Sequence, residues 1–166
     1  GELVRLFSFS LKGRTSEVNK CIKILTRISS PYEILNQESN SGKFIYNRFQ
    51  KIDQIYQDLI QKAQKQVKPT GAMIALVYEE RKWSFTSELA AELLYNHPDK
   101  LVIVARNRMG QMKCSLRSRK VNIPKILEKA LVGIEGYGGG HELACGANIS
   151  EKDWDQFLEN IKKELE

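Results

Sequence analysis

The chain has 166 residues, of which 42% are hydrophobic and 28% are charged, a balance typical of a folded globular domain. No apolar run approaches the roughly 20 residues of a membrane-spanning helix, and the start lacks the pattern of a signal peptide. The formal net charge is +6 and is spread along the chain, which favours a polyanionic partner, although solubility alone is an alternative reason for it.

The first 42 residues predict mainly helical structure. Residues 3–11 are apolar with polar interruptions, which fits a short strand or, if the chain comes from a longer protein, a surface left bare. Apolar residues at spacings of three and four then predict an amphipathic helix over 16–29, which Pro31 ends. Residues 36–42 are polar and are the best candidate for a domain boundary.

The longest periodic segment covers residues 43–67. Its apolar residues step alternately by four and three, as in a heptad seam. The seam consists of Ile45, Phe49, Ile52, Tyr56, Leu59 and Ala63. We expect a long helix that either packs on its own domain or bridges two parts of the protein, and its charged outer face favours the bridging form.

A compact α/β pattern begins at residue 72. Strands are predicted at 72–78, 101–105, 111–115 and 147–149, and helices at 87–97, 122–131 and 150–166. We therefore expect an α/β fold in which a mixed sheet of four or five strands is flanked by helices. A helical N-terminal part with one long connecting helix precedes this sheet.

The end of the strand at 111–115 carries a basic cluster. Ser115–Lys120 combines two serine hydroxyls with three cationic side chains. Ligands usually bind at strand ends in α/β sheets, and arginine binds phosphate through paired N–H donors. The alternative is a solvated strand end with no ligand.

A glycine run follows at Gly136–His141. Consecutive glycines predict a loop whose N–H groups form a concave nest for phosphate, or a plain flexible turn. His141 adds an imidazole, whose ring N–H can donate a hydrogen bond to an anion. If the run lies beside the basic cluster, the two form one phosphate site with Arg117 on the wall facing the nest and His141 at its lip.

Three motifs together resemble a known family. Ser-Leu-Arg-Ser at 115–118 precedes Val-Asn-Ile-Pro-Lys-Ile-Leu at 121–127, and Gly-Tyr-Gly-Gly-Gly-His-Glu-Leu-Ala-Cys-Gly occupies 136–146. This order resembles the DHH-associated domain, the C-terminal domain of the Asp-His-His phosphoesterases, and is most like the RecJ-type single-strand-specific exonucleases. With the boundaries taken from the polar segment and the long helix, we expect a connecting helix at 43–68 and a DHH-associated domain that binds nucleic acid or phosphate at 69–166. The helical segment at 1–42 is then a remnant of, or a linker to, a missing catalytic domain.

The resemblance also implies a set of substrate contacts. The residues implied to bind phosphate are Ser115, Arg117, Ser118, Gly138, Gly139, Gly140 and His141. Further nucleic-acid contacts are expected from Arg106, Arg119, Lys120 and Tyr137. Tyr137 stands where the family usually has a glycine, and it either narrows the nest or offers a ring on which a base stacks. Cys145 stands where the family usually has an alanine, and we expect an inert buried thiol.

Catalytic residues are not expected in this chain. The family hydrolyses phosphodiesters with Mn²⁺ or Mg²⁺ ions held in a separate DHH domain, and such chemistry needs converging carboxylates. The aspartates here are scattered, and no Cys/His spacing indicates zinc. The three cysteines are odd in number and far apart, which predicts reduced thiols in a cytoplasmic protein. Since Gly1 is not a methionine, we expect the chain to come from a longer protein.

Three functions are therefore open. The first is the substrate-binding part of a RecJ-like phosphoesterase, whose partners are single-stranded nucleic acid and the DHH catalytic domain of the same protein. The second is a tRNA-binding module like the C-terminal domain of alanyl-tRNA synthetase, against which His141 argues. The third is a non-catalytic module that binds replication proteins through the heptad seam or the apolar first eleven residues. The sequence does not distinguish a DNA substrate from RNA.

Overall fold

The computed structural model describes residues 1–68, 71–79 and 82–166. The chain divides into two compact units, Gly1–Leu59 and Ile60–Glu166. Within the described ranges, no helix is both long enough and apolar enough to cross a lipid bilayer.

The first unit is built from helices. They are α1 (Glu2–Ser10), α2 (Thr15–Leu25), α3 (Pro31–Leu35) and the first part of α4 (Asn40–Gln66). The hydroxyl of Ser30 accepts a hydrogen bond from the backbone N–H of Tyr32 at 3.2 Å, and Pro31 occupies the first turn of α3. These are standard signals for a helix start. The predicted loop at 36–42 is shortened, because α4 begins at Asn40.

The predicted strand at 3–11 is wrong, because this segment forms α1. Leu6 and Phe9 are both fully buried, and a spacing of three places them on one face of a helix but on opposite faces of a strand. The Ser10 hydroxyl donates to the Leu6 carbonyl oxygen at 2.6 Å, a contact across one helical turn.

The long helix predicted at 43–67 is confirmed as α4. All six residues of its seam are buried. Within the first unit, the ring of Phe9 in α1 lies 5.1 Å from the ring of Tyr56 and 6.3 Å from that of Phe49, measured between centroids. This part of the seam therefore packs inside its own unit.

The second unit contains a five-stranded mixed sheet, which confirms the predicted fold class. The strands are β1 (Met73–Val77), β2 (Leu101–Arg108), β3 (Gln111–Arg117), β4 (Gly136–His141) and β5 (Ala144–Ser150). Their order is β1-β2-β3-β5-β4, with β1 parallel to β2 and the other neighbours antiparallel. The helices of this unit are α5 (Thr86–Asn96), α6 (Ile123–Ala130) and α7 (Trp154–Leu165).

One hydrophobic cluster of the second unit lies on the face of the sheet that α6 and α7 cover, which we call the core face. Alternate residues of β2, β3 and β5, among them Ile103, Leu116 and Ile149, pack with α6 and α7. Helix α5 instead contacts β2 and β3. The side chain of Arg117, which points away from the core face, reaches Ser87 of α5, so α5 lies on the second face.

The glycine run is an edge strand, so the prediction of a glycine-rich loop is wrong. It pairs with β5 from Gly136↔Ile149 to His141↔Ala144. A nest requires left-handed residues between right-handed ones, yet among Gly136, Gly138, Gly139 and Gly140 only Gly140 has a positive φ, at 149°. Pairing with β5 satisfies the backbone better than an isolated loop would.

Candidate functional site

The second face of the sheet is exposed over β5 and β4. Strand alternation places every second residue of these strands on that face. We call this surface the open face, and its members are Tyr137, Gly139, His141, Ala144, Gly146 and Asn148. Lys113, Ser115 and Arg117 of β3 border it.

The register aligns these residues in three parallel rows. The rows are Arg117–Ala144–His141, Ser115–Gly146–Gly139 and Lys113–Asn148–Tyr137. The basic cluster and the glycine run, which are separated by α6 in the sequence, are therefore neighbours in the sheet. Each row has a polar or cationic side chain on β3, and the first two have only small residues on β5.

Arg117 and His141 stand at the two ends of the first row. Their Cα atoms are two strand spacings apart, about 10 Å, with only the methyl group of Ala144 between them. Arg117 Nη2 donates to the Ser87 hydroxyl at 2.7 Å, and Ser87 lies in the first turn of α5, at the positive end of the helix dipole. Among the described residues, no carboxylate lies within salt-bridge distance of Arg117. The positive charge at this end of the row is therefore uncompensated.

The glycines of β4 fall into two classes. A Cβ atom at Gly138 would lie 2.8 Å from Ala147 Cβ, and one at Gly140 would lie 2.5 Å from the Ala144 carbonyl oxygen. A Cβ atom at Gly139 would meet nothing within 4 Å. The protein itself therefore requires glycine at 138 and 140, where the backbone packs on β5, whereas Gly139 leaves bare space on the open face.

The turn that joins β4 to β5 is held at both of its residues. Ser118 N–H donates to the Leu143 carbonyl at 3.1 Å, and Ile123 N–H donates to the Glu142 carbonyl at 2.8 Å. These bonds tie the turn to the end of β3 and to the start of α6. The position of His141 beside this turn is consequently fixed relative to Arg117 before any ligand binds.

The structure divides the residues predicted to bind substrate. Arg117, Gly139, His141 and Tyr137 lie on or beside the open face, and Ser115 is on the same side of the sheet but buried. Gly138 and Gly140 turn toward the core face. Ser118 is buried, and its hydroxyl accepts hydrogen bonds from the N–H groups of Lys120 and Val121, so it shapes the chain after β3.

The remaining cations predicted as contacts lie elsewhere. Arg106 is 6% exposed, and its Nη1 donates to the Trp83 carbonyl at 2.7 Å. Arg119 and Lys120 are exposed in the segment between β3 and α6. Whether these residues contact substrate stays a prediction.

Comparison with known proteins identifies the second unit. The family model of the DHHA1 domain matches residues 70–166. The chain belongs to the DHHA1 domain family. The match spans the sheet, its three helices and all three rows of the open face, which confirms the resemblance stated from the motifs. No curated protein sequence matches the chain with significance.

Solved structures share the fold of this DHHA1 chain. RecJ from Thermus thermophilus, in complex with Mn²⁺, matches 99% of the chain with a TM-score of 0.71 and 17% identity. PggH from Vibrio cholerae, a pGpG-specific phosphodiesterase, matches 92% with a TM-score of 0.60 and 17% identity. The C-Ala domain of alanyl-tRNA synthetase from Aquifex aeolicus matches 60% with a TM-score of 0.50 and 18% identity.

The chain corresponds to only part of the larger proteins. It spans 23% of the RecJ chain and 52% of the PggH chain, whereas it covers 97% of the C-Ala domain. At these identities the likeness establishes a common fold.

Three residues of the candidate site were missed in the sequence. Lys113 shares the face of Ser115 and Arg117, and the alternation of polar residues at 113, 115 and 117 could have revealed it. Gly146 lies in the second row, and it ends the motif that carried the resemblance. Ser87 bonds Arg117 from a helix far away in the sequence, and no local signal predicts that contact.

Burial beneath the open face keeps the thiol of Cys145 protonated. Burial raises the pKa of Cys145, and the positive charge of Arg117 only partly opposes that rise. Cys145 Sγ donates to the His141 carbonyl oxygen at 3.3 Å. The protonated thiol therefore supports the end of β4 through this hydrogen bond.

The donor set of the described residues does not fit a metal centre. No three His, Cys, Asp or Glu residues among them converge closely enough to hold an ion. The site bordered by Arg117 and His141 offers cationic and neutral donors, which suit an anion rather than Mn²⁺ or Mg²⁺.

Proposed function

We propose that this DHHA1 domain binds the phosphates of a phosphodiester substrate on its open face and presents them to a DHH catalytic domain. The parent activity would be metal-dependent phosphodiester hydrolysis on single-stranded nucleic acid, as in a RecJ-type exonuclease. The observation that carries the proposal is the first row, in which Arg117 and His141 flank Ala144 on one face of the sheet.

The charge and geometry of this row support phosphate binding. Arg117 has no carboxylate partner among the described residues, so an incoming anion does not have to break an existing ion pair. One N–H donor of its guanidinium is held by Ser87, which leaves the planar group oriented with further donors available. A phosphate between Arg117 and His141 would receive charge-assisted hydrogen bonds from both sides.

The two glycines of the second row, Gly139 and Gly146, support close approach of a nucleic-acid backbone. Gly139 and Gly146 face the same surface without side chains, and a Cβ at Gly146 would meet only the Cys114 carbonyl oxygen, at 3.8 Å. Packing within the protein does not explain why these two positions are glycine. A ligand that lies against the sheet would explain it.

The metal ions belong to the catalytic domain in this proposal. The RecJ structures hold Mg²⁺ or Mn²⁺, and the donors described here do not form a comparable site. Arg117 and His141 therefore act as binding groups that position a phosphodiester, and no hydrolytic step is assigned to them.

The test is salt-dependent binding of a fluorescein-labelled single-stranded oligonucleotide to the 166-residue chain, followed by fluorescence anisotropy. Arg117→Ala and His141→Ala are each expected to weaken binding about tenfold or more, because each removes a hydrogen bond to a charged group. Lys125→Ala is the matched control for Arg117→Ala: it also removes one positive charge, but from an exposed position of α6, which packs on the core face.

The control separates local contacts from the general attraction of a basic protein. If Lys125→Ala weakens binding as much as Arg117→Ala, the open face is not the site. Competition with unlabelled tRNA tests the alternative suggested by the C-Ala fold, since a tRNA-binding module should prefer tRNA to single-stranded DNA of equal nucleotide concentration.

A further inference from the structure

Tyr137 is the one aromatic side chain on the open face. It is 71% exposed and lies in the third row, beside Asn148 and on the same face as Gly139 and His141. Its hydroxyl forms no hydrogen bond with any other residue that the structure describes. The ring is therefore neither part of the core nor tied to a neighbour, although it occupies a strand that is otherwise almost entirely glycine.

The spacing of the rows limits what could contact both ends of the face. Tyr137 and His141 are four residues apart on one strand, about 14 Å at roughly 3.4 Å per residue. A single phosphate held between Arg117 and His141 cannot reach Tyr137. A ligand that touches both must extend across the second row, where Gly139 and Gly146 leave room for a chain backbone.

The chemistry of the third row differs from that of the first. The first row offers cations for a phosphate, whereas the third offers an exposed aromatic ring, with the Lys113 side chain on the other side of Asn148. A ring binds the flat face of a base, and such stacking tolerates any base. Inorganic phosphate chains have no group that would gain from it.

We propose that Tyr137 stacks on a base of the nucleotide adjacent to the phosphate held by Arg117 and His141, so that the site selects nucleotide substrates at least two residues long over inorganic phosphate chains. This inference rests on the proposed phosphate site. It adds a specificity residue beside that site.

The experiment compares two competitors that differ only in their bases. A labelled single-stranded oligonucleotide bound to the 166-residue chain is displaced by an unlabelled oligonucleotide, or by an abasic strand of the same length and phosphate number. Tyr137→Ala is expected to lower affinity for the base-bearing strand by roughly 5- to 100-fold and to leave affinity for the abasic strand unchanged. Tyr137→Phe should retain the wild-type affinity for both, because it keeps the ring.

A second tyrosine provides the matched control. Tyr95 is 74% exposed on α5 and lies eight residues, or about 12 Å along the helix, from Ser87. Tyr95→Ala should leave both affinities unchanged. The thermal midpoint of each variant verifies that folding is intact, as the exposure of both side chains leads us to expect.

The outcomes distinguish this inference from the function on which it rests. If Tyr137→Ala weakens both strands equally or neither, stacking is excluded, while the phosphate site stands provided that Arg117→Ala weakens both. If tripolyphosphate displaces the probe as well as the base-bearing strand does, the proposed selectivity is wrong. If the wild-type chain binds neither strand, the proposed function and the inference fail together.

Discussion

The two faces of the β4–β5 hairpin differ in how closely their glycines are packed. On the core face, Gly138 and Gly140 pack so closely on β5 that a Cβ atom would collide with it, and Cys145 and Ala147 are buried beside them. On the open face, Gly139 and Gly146 have space above them, and the charged and aromatic side chains lie around that space. One glycine run thus contains residues required by folding and a residue that folding does not require.

This contrast separates glycines that packing requires from glycines that packing does not require. Where a Cβ atom would collide with β5, as at Gly138 and Gly140, packing alone explains the glycine. The proposed phosphate site supplies a different reason for Gly139, since a ligand that lies against the sheet needs a backbone without a side chain. The following predictions test that division, beginning with the largest expected effect.

Gly140→Ala should destabilise the second unit by about 2–4 kcal/mol. The positive φ of 149° is strained for alanine, and the new Cβ would lie 2.5 Å from the Ala144 carbonyl oxygen. Urea unfolding followed by circular dichroism measures the loss. Gly139→Ala is the control and should stay within about 0.5 kcal/mol of the wild type. Equal losses at the two positions would remove the distinction between the faces.

The core face should also make stability fall at alkaline pH. Burial raises the pKa of Cys114 from its ordinary 9.0 to about 12, so the folded protein keeps a proton that the unfolded chain loses. The contribution is complete below pH 9 and declines by about 1.4 kcal/mol per unit as the pH rises toward 12. Between about pH 9 and pH 10.5 the wild type should lose about 2 kcal/mol more than Cys114→Ala. Parallel stability curves for the two proteins would contradict this.

Gly139→Val should weaken oligonucleotide binding about tenfold, equivalent to about 1.4 kcal/mol, while leaving the free energy of unfolding nearly unchanged. The added methyl groups would occupy the space over the second row that a substrate backbone needs. Anisotropy titration and urea unfolding of the same preparation measure both effects. Unchanged affinity in a folded variant would show that the substrate does not cross this row.

Ser118→Ala should cost about 1 kcal/mol in stability, because its buried hydroxyl accepts hydrogen bonds from two backbone N–H groups. Oligonucleotide affinity should change less than about threefold, an energy below about 0.7 kcal/mol. Ser115→Ala, at a buried position in the row of Gly139, provides the comparison and should lower oligonucleotide affinity more than Ser118→Ala does. A larger loss of affinity from Ser118→Ala than from Ser115→Ala would restore Ser118 as a direct contact.

Periodicity explains why much of the fold was predictable. The prediction of helix α4 is correct because six apolar residues repeat at helical spacing over a long segment. The strand prediction for 3–11 is wrong because the spacing of its apolar residues matches neither the strand period of about two nor the helical period of about 3.6. Burial of both Leu6 and Phe9 on one face is what distinguishes the helix. A run of glycines shows no hydrophobic periodicity, because glycine has no side chain. The sequence therefore predicts a loop where the structure has strand β4.

The sequence by itself determined the α/β class, the long helix α4 and the motifs that identify the DHHA1 family, since these depend on local spacing and on residue order. Only the tertiary structure decided which glycines face the core, which residues flank Ala144, and that Ser87 holds Arg117. Those facts depend on strand register and on contacts between distant segments. A shift of one residue in register would move every side chain of β4 to the other face, and no local pattern in a run of glycines sets that register.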